Sequence, residues 1–432
     1  MIRQRYTPFF FVMFAAVMLL PMIAVAQGPA AAPRQEKLLN GMKVLLWNRP
    51  AEERITIRLR IHSGAAFDPQ EKEGVLHLLA DSFFPSADSK SFFAEELGGS
   101  LEIETNYDFI QINAEARNSD LIELLETLSQ AIINPSGDKE TVAVLKKALA
   151  ERVSVLEKDP AYLADRAVAR RLFGTFPYGR PHMGSVSSIE RIDFADLVFA
   201  KGRLLTADNA TMAISGNFDP TLTFRAVRRF FGGWQKSDRR VPATFRQPDP
   251  PAADVAVVDS PVPGVSEFRA ATRGVARNDP DYFASEMLRS VLNERQRQRE
   301  GAGGFVRFES HILPGAFVFG TSQIDADMSD PQNGQERKSK AISDMLGGPI
   351  REAEFAKART AALDRLRASE IDLWLDLDTF RLSSVKTEFE RAQSVRLSDL
   401  QRIFERILKQ PTAYVHVVHR TTGESVSQDT DQ

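Results

Sequence analysis

Apolar and polar residues alternate along two short segments near the start of the chain, 43–49 and 55–62. In the second segment every other side chain is aliphatic: Ile55, Ile57, Leu59 and Ile61. The intervening side chains are polar: Thr56, Arg58, Arg60 and His62. Since successive side chains of a strand point to opposite faces of its sheet, this pattern predicts a strand with one buried and one polar face.

The same order of patterns occurs twice: strand, strand, helix, strand, strand, several helices and a final strand. In the first half the further strands are predicted at 101–105, 109–116 and 210–216, and the helices at 74–84, 92–97, 119–133, 138–157, 160–173, 193–200 and 219–232. In the second half the strands are predicted at 254–259, 266–273, 304–310, 316–323 and 412–419, and the helices at 279–296, 333–346, 351–370 and 396–408. The repeat indicates an internal duplication and an α+β fold of two layered domains, each an antiparallel-rich sheet with helices on one face.

The first 26 residues have the organisation of a secretory signal peptide. Arg3 and Arg5 precede an apolar run at 9–23, and the small residues of a cleavage site follow at 24–26. The run is short for a membrane span of roughly 20 residues, so the sequence predicts export, into the periplasm of a Gram-negative cell, with no membrane span after cleavage. The predicted parts are a signal peptide (1–26), a flexible leader (27–36), an N-terminal domain (37–234), a charged, proline-rich linker (235–252), a C-terminal domain (253–421) and a disordered tail (422–432).

Composition excludes some kinds of site. The chain has 432 residues, no cysteine and a formal net charge of −3. Without cysteine there is no disulfide and no thiolate metal site. Without a basic excess, no nucleic-acid partner is expected.

The predicted helix at 74–84 carries two polar side chains among apolar ones, His77 and Asp81. A spacing of four residues places them on one face, one turn apart, so both can reach one ligand. The stretch resembles the inverted zinc motif H-x-x-E-H of the insulinase/pitrilysin (inverzincin) metallopeptidases. Here it reads His77-x-x-Ala80-Asp81: the first histidine is kept, the glutamate is alanine and the second histidine is aspartate.

Further segments resemble other motifs of this family and follow in the family's order. They are 39–44 (LNGMKV), 62–68 (HSGAAFD), 97–105, 151–157, 177–189 (beginning PYGRP) and 209–219. The resemblance covers residues 38–420 and implies the insulinase-like fold of two homologous domains.

In this family two histidines and a distant glutamate bind zinc, and the glutamate between the histidines is the general base. The resemblance places His77 and Asp81 at the histidine positions and Glu157, 157 − 81 = 76 residues later, at the third. Ala80 stands at the general-base position, and its methyl group cannot accept a proton. Two interpretations stay open: a weak zinc site of His77, Asp81 and Glu157, or, as favoured here, a hydrogen-bonded His77–Asp81 pair with no cofactor.

The same resemblance suggests two substrate-contacting residues. Glu102 aligns with an edge-strand position where the family has asparagine, and Arg299 aligns with an arginine of the second half. The tyrosine expected seven residues after Arg299 falls on Val306, or on Phe305 after a one-residue gap, and neither has a hydroxyl. The alternative for Glu102 and Arg299 is an ordinary solvated surface position.

The resemblance therefore implies an exported, catalytically inactive homologue. It would form a heterodimer with an active zinc-peptidase homologue, help to enclose a peptide chamber and bind peptides by edge-strand pairing. One alternative is an active zinc metalloendopeptidase that uses His77, Asp81 and Glu157. Another is an envelope scaffold or peptide-binding protein without such a partner.

Overall fold

The computed structural model describes residues 32–135, 137–237, 246, 248–298, 304–322 and 347–419. The predicted signal peptide, the predicted tail, the predicted helix at 333–346 and most of the predicted linker lie outside these residues. Among the described residues, no helix is both long and apolar enough to cross a bilayer.

The described strands agree with the predicted ones to within about two residues, and one further strand, β1, is added. They are β1 (Arg34–Lys37), β2 (Lys43–Asn48), β3 (Arg54–Ile61), β4 (Ser100–Thr105), β5 (Ile110–Arg117), β6 (Ala210–Gly216), β7 (Val255–Asp259), β8 (Ser266–Arg273), β9 (Gly304–Glu309), β10 (Ala316–Thr321) and β11 (Ala413–Val418). The described helices are α1 (Val75–Asp81), α2 (Ala87–Glu95), α3 (Leu121–Ile133), α4 (Lys139–Leu156), α5 (Pro160–Phe173), α6 (Val186–Glu190), α7 (Phe194–Leu204), α8 (Pro220–Phe231), α9 (Tyr282–Arg297), α10 (Glu352–Ala368), α11 (Glu370–Thr379), α12 (Val385–Ser394) and α13 (Leu397–Lys409).

The two sheets repeat one topology. The first has the strand order β1-β2-β6-β3-β5-β4, and the second has the order β7-β11-β8-β10-β9. Each contains a single parallel pair, β2 with β6 and β11 with β7, among antiparallel neighbours. Apart from β1, the second sheet reproduces the first strand by strand, which confirms the predicted α+β fold of two homologous domains.

The alternation in β3 sorts its side chains between two layers. Its aliphatic residues are fully buried against α1, α3 and their neighbours in the larger hydrophobic core. Its polar residues lie on the opposite face, which we call the inner face of the sheet. The inner face of the first sheet is covered by α11 from the second half, through Leu375 and Trp374 packed on Leu45 and Trp47.

The inner face of the second sheet is covered reciprocally, by α5 from the first half. Ala164, Val168 and Leu172 pack against Ala271 and a row of buried residues in β11. The row consists of Ala413, Val415 and Val417. Each half thus contributes one helix to the other half's sheet, and the two domains share a continuous interface.

Several features differ from the predictions. The helix α2 begins at Ala87 instead of at 92, and α6 (Val186–Glu190) is not predicted. The strand β1 includes residues 34–36, the end of the predicted flexible leader, because this segment pairs antiparallel with β2. The sequence does not predict α11, in which apolar and acidic residues alternate (EIDLWLDLDT) with a period near two instead of 3.6. It also does not predict α12, whose Ser384 cap accepts a hydrogen bond from the Thr387 amide.

Candidate functional site

The helix α1 is held in place at its amino terminus. Gly74 precedes it with a φ of 105°, and a Cβ there would lie 2.8 Å from the Met183 carbonyl oxygen, so only glycine fits. The buried Asp68 carboxylate accepts hydrogen bonds from the Gly74 and Leu76 amides at 2.8 and 2.9 Å. Burial raises the pKa of Asp68 to about 7, although these amides act against the shift.

The structure brings His77 and Asp81 together, as their spacing predicts, but a third residue joins them. The Arg152 guanidinium, from α4, lies with Nη2 2.9 Å from His77 Nε2 and 3.3 Å from Asp81 Oδ2. A guanidinium only donates hydrogen bonds, so Nε2 must accept and the imidazole proton is on Nδ1. Nδ1 is buried and has no hydrogen-bond partner among the described residues.

The charges of this cluster favour a neutral imidazole. Burial lowers the pKa of His77, Asp81 partly offsets that effect, and the positive charge of Arg152 lowers the pKa further. The neighbouring His182 behaves in the same way, since burial, with help from His77 and Arg166, lowers its pKa to about 4. Arg152 is therefore the fixed positive charge at the centre of the cluster.

Ala80 follows His77 by three residues, so it lies within one turn of that histidine on α1. It is 1% exposed and belongs to the main hydrophobic core. The general-base position of the motif is therefore filled by a core methyl group, and the chain places no carboxylate there.

Glu157 does not join His77 and Asp81. It caps the carboxyl end of α4, and its Oε1 accepts a 3.4 Å hydrogen bond from the Val186 amide. Among the described residues, no group of three or more histidine, aspartate and glutamate side chains is arranged to hold a metal ion. A zinc ion does not fit the residues present, because a guanidinium already lies between the two side chains at its expected position.

The other predicted residues lie apart from this cluster. Glu102 is exposed on the edge strand β4, opposite Asn113, on the inner face of the first sheet. Arg299 lies outside the described residues. Val306 is fully buried, while the Phe305 ring lies under the guanidinium groups of Arg269 and Arg307, with carbon-to-centroid distances of 4.8 and 4.9 Å.

Sequence reasoning missed Arg152, the residue that defines the cluster. The motif gives no reason to select an arginine between two ligand positions, and Arg152 is 71 residues from Asp81 in the chain. The only signal was indirect: α4 was predicted, and one of its faces had to meet α1.

Comparison with known proteins gives the relationships of this chain. Residues 43–186 match the family model described as Insulinase (Peptidase family M16), and residues 192–362 match the one described as Peptidase M16 inactive domain. An uncharacterized zinc protease of Mycobacterium tuberculosis is 27% identical over 217 residues, 49% of each chain. A probable mitochondrial-processing peptidase subunit beta of Arabidopsis thaliana is 21% identical over 282 residues, 63% of this chain and 53% of that protein. The chain thus matches about half the length of these curated relatives.

Two solved structures share the fold. A peptidase M16 inactive domain from Pseudomonas fluorescens superposes with a TM-score of 0.77 at 16% identity, covering 90% of this chain and 98% of the other. The first half of the periplasmic protease PqqL from Escherichia coli superposes with a TM-score of 0.64 at 15% identity, covering 91% and 93%. At these identities the superpositions describe architecture alone.

Proposed function

The chain belongs to the insulinase family, peptidase family M16, and on that premise we propose that it is a catalytically inactive member that binds peptides as the non-catalytic subunit of a heterodimer. Its partner is an active zinc-peptidase homologue, and the assembly is exported to the periplasm. The observation that carries the proposal is the Arg152 guanidinium between His77 and Asp81.

The chemistry of the cluster argues against hydrolysis. Zinc acts in such enzymes by binding a water molecule and lowering its pKa to about 7. The Arg152 guanidinium offers hydrogen-bond donors and a positive charge but no coordination site for a water molecule. General-base catalysis contributes roughly 10²–10⁴-fold, and the Ala80 methyl group cannot supply it. Two separate requirements of the family's reaction are therefore unmet at this cluster.

The likeness to PqqL supports a unit that pairs with a second unit. This chain matches the first half of PqqL over 93% of its length, but the complete PqqL chain over only 48%. The unit described here therefore corresponds to one of the two parts of that protein. The description of PqqL as a periplasmic protease also agrees with the signal peptide predicted at 1–26.

A peptidase assay tests the proposal directly. The purified chain, the active homologue and their mixture are each incubated with a peptide library and read by mass spectrometry. We expect no cleavage by the chain alone, and a changed rate or cleavage pattern in the mixture together with a stable complex in size-exclusion chromatography.

Site variants make the assay decisive. Zinc-dependent cleavage by the isolated chain that disappears in Asp81→Ala would overturn the inactivity. Glu151→Gln is the matched control, because this side chain is exposed next to Arg152 in the chain and its one ion pair within the described residues, with Lys147, is long, at 3.9 Å. Metal analysis is the second readout: we expect substoichiometric zinc in both the unaltered chain and His77→Ala.

A further inference from the structure

A second polar site lies beside the His77–Arg152–Asp81 cluster. It is a cavity of about 680 Å³ between α5, the 177–184 turn and the start of α6. Glu157, at the end of the helix that carries Arg152, lines its wall. Its volume is within the range of roughly 300–1,000 Å³ that is usual for ligand sites.

One face of α5 supplies three polar side chains to this cavity. Tyr162, Arg166 and Arg170 follow each other at intervals of four residues, so they form one stripe along the helix. Arginines one turn apart on a helix repel each other and destabilise it. A ligand with negative charge would remove this repulsion.

The charges in the cavity are only partly compensated. Arg180 pairs with Glu73 at 3.5 Å and Arg191 pairs with Glu71 at 3.2 Å. Arg166 donates to the carbonyl oxygens of Arg180 and Gly179, at 3.2 and 3.1 Å, and contacts the neutral Tyr107 hydroxyl. These pairs account for two of the four arginines that line the cavity.

The remaining two arginines have no acidic partner. Within the described part of the chain, neither Arg166 nor Arg170 has a carboxylate within 4 Å, and the Arg170 side chain has no hydrogen bond. Glu157 is the remaining carboxylate in the lining, so the balance is two arginines to one acid.

Hydrogen-bond donors complete the site. In the same part of the chain the Tyr162 hydroxyl has no partner, and burial raises the pKa of Tyr162, so the hydroxyl stays protonated and able to donate. Ser185 and Ser187 hydroxyls line the opposite wall, 3.0 Å from each other. Guanidinium groups bind carboxylates with two parallel hydrogen bonds, and hydroxyls add further donors.

We propose that this cavity is a carboxylate-binding site, in which Arg166 and Arg170 bind a carboxylate of a peptide held beside the His77–Arg152–Asp81 cluster. Only the choice of a peptide as the source rests on the proposed function. The carboxylate is either the peptide's C-terminus or an acidic side chain, and the two sources are separable by experiment.

Fluorescence anisotropy with three labelled peptides tests the proposal on the full chain. One neutral sequence is made as the free acid and as the C-terminal amide, and a third peptide is the amide with one internal glutamate. We expect at least one carboxylate-bearing peptide to bind about tenfold more tightly than the neutral amide, and the difference to shrink at high salt. The peptide that binds identifies the source of the carboxylate.

Arginine variants locate the effect. Arg170→Gln removes an exposed side chain without hydrogen bonds in the described structure, so it should fold normally and lose the tenfold preference; Arg166→Gln should lose it too. Arg225→Gln, an exposed arginine on α8 remote from the cavity lining, is the matched control and should keep it.

Equal binding of all three peptides, no binding of any, or a preference that survives in both cavity variants would overturn the site. Mass spectrometry of the same samples reports separately on the proposed function. Cleavage of the peptides by this chain would end the claim of inactivity, while the affinity difference would still decide on the carboxylate site.

Discussion

The two helices that pack on the other domain's sheet differ in how many of their charged side chains form ion pairs with that sheet. On α11, four carboxylates each lie within 4 Å of a cation that is on the first sheet or, for Arg49, directly after β2. The pairs are Glu370 with Arg49, Asp372 with Arg58, Asp376 with Arg60, and Asp378 with Lys43. On α5, Asp165 alone binds the inner face of the second sheet, through Arg269 and Arg307.

The difference shows how one architecture serves two purposes. The charged side chains of α11 contact the sheet beneath them, so this helix is a structural clamp between the domains. The helix α5 packs on the second sheet through apolar contacts and the Asp165 carboxylate. Its stripe of Tyr162, Arg166 and Arg170 lines a cavity. If this distinction is correct, substitutions on the two helices will differ in their effect on stability.

The largest effect is expected for Arg60→Ala. The Arg60 side chain is 3% exposed and donates to Asp376 Oδ1 at 2.7 Å and to Gln111 Oε1 at 2.6 Å. Burial raises the pKa of Asp376, and Arg60 and Arg277 oppose that shift. The substitution therefore removes the nearer cation of a carboxylate that is 22% exposed, and leaves it only Arg277, at 3.8 Å, among the cations of the described residues. We expect a loss of roughly 3–5 kcal/mol in the free energy of unfolding, measured with urea.

Arg58→Ala is the matched control on the same strand. Its side chain is 30% exposed and its partner Asp372 is 36% exposed, so a loss of roughly 0–1 kcal/mol is expected. Equal losses of unfolding free energy for the two variants would contradict the conclusion that the buried Arg60 stabilises the contact with α11 more than the exposed Arg58 does.

A smaller loss is expected for Asp165→Asn, on α5. The variant removes the charged partner of Arg269 and Arg307, at 2.6 and 2.8 Å, but Arg269 keeps its contact with Glu267 at 2.7 Å. Hydrogen bonds to charged groups contribute roughly 1.5–3 kcal/mol, and we expect a loss in that range by urea unfolding. The control is Asp254→Asn, which alters an exposed carboxylate paired with Arg171 and should lose less than about 1 kcal/mol. If Asp165→Asn lost no more than this, the contact of Asp165 with Arg269 and Arg307 would not stabilise the protein.

The next effect is a dependence of stability on pH at a second contact between the halves. His311 Nδ1 lies 2.8 Å from Asp108 Oδ2. Burial lowers the pKa of His311, but the charge of Asp108 and their hydrogen bond raise it more, so the net pKa is above the ordinary value. A raised folded-state pKa means that this contact stabilises the protein fully below about pH 6.5 and loses its contribution as pH rises through the folded-state pKa.

The measurement is the free energy of unfolding from pH 6.5 to 9. Tyr107 and Tyr178 face His311, and burial raises the pKa of both, so they stay neutral in this range. Glu309 also acts on His311 and raises the pKa of the imidazole further. The pKa of Asp68 is also raised to about 7, so Asp68 contributes to the pH dependence of both proteins. The profile of the unaltered chain is therefore compared with that of His311→Gln, in which stability should change less with pH. Identical profiles for the two proteins would rule out the contribution.

The smallest effect is expected for Arg170→Gln. This variant removes a like charge one turn from Arg166, and we expect a change within about 0.5 kcal/mol, in the stabilising direction. The adjacent Arg171→Gln should be clearly destabilising, because Arg171 donates to the Asp254 carbonyl at 2.8 Å and its side chain is 19% exposed. A large loss for Arg170→Gln would assign this residue to the interface instead of to a binding site.

Local patterns in the sequence were enough to predict much of this fold. The alternation in β3 established which side chains enter the core, because strand geometry leaves only two faces. The four-residue spacing of His77 and Asp81 determined that they share a helix face, and the order of motifs identified the family and its duplicated fold. These features depend on residues that are close together in the chain.

The partners of those residues follow from long-range packing instead. Arg58 and Arg60 were recognised as a polar face, but their partners lie more than 300 residues away, on a helix whose alternating residues do not have a helical period. Glu157 has the spacing of a third ligand, but its carboxylate accepts a hydrogen bond from the Val186 amide. Arg152, five residues earlier on α4, is the residue that contacts the cluster. The physical reason is that contacts between distant segments depend on how helices pack on the sheets, and the local pattern does not specify that packing.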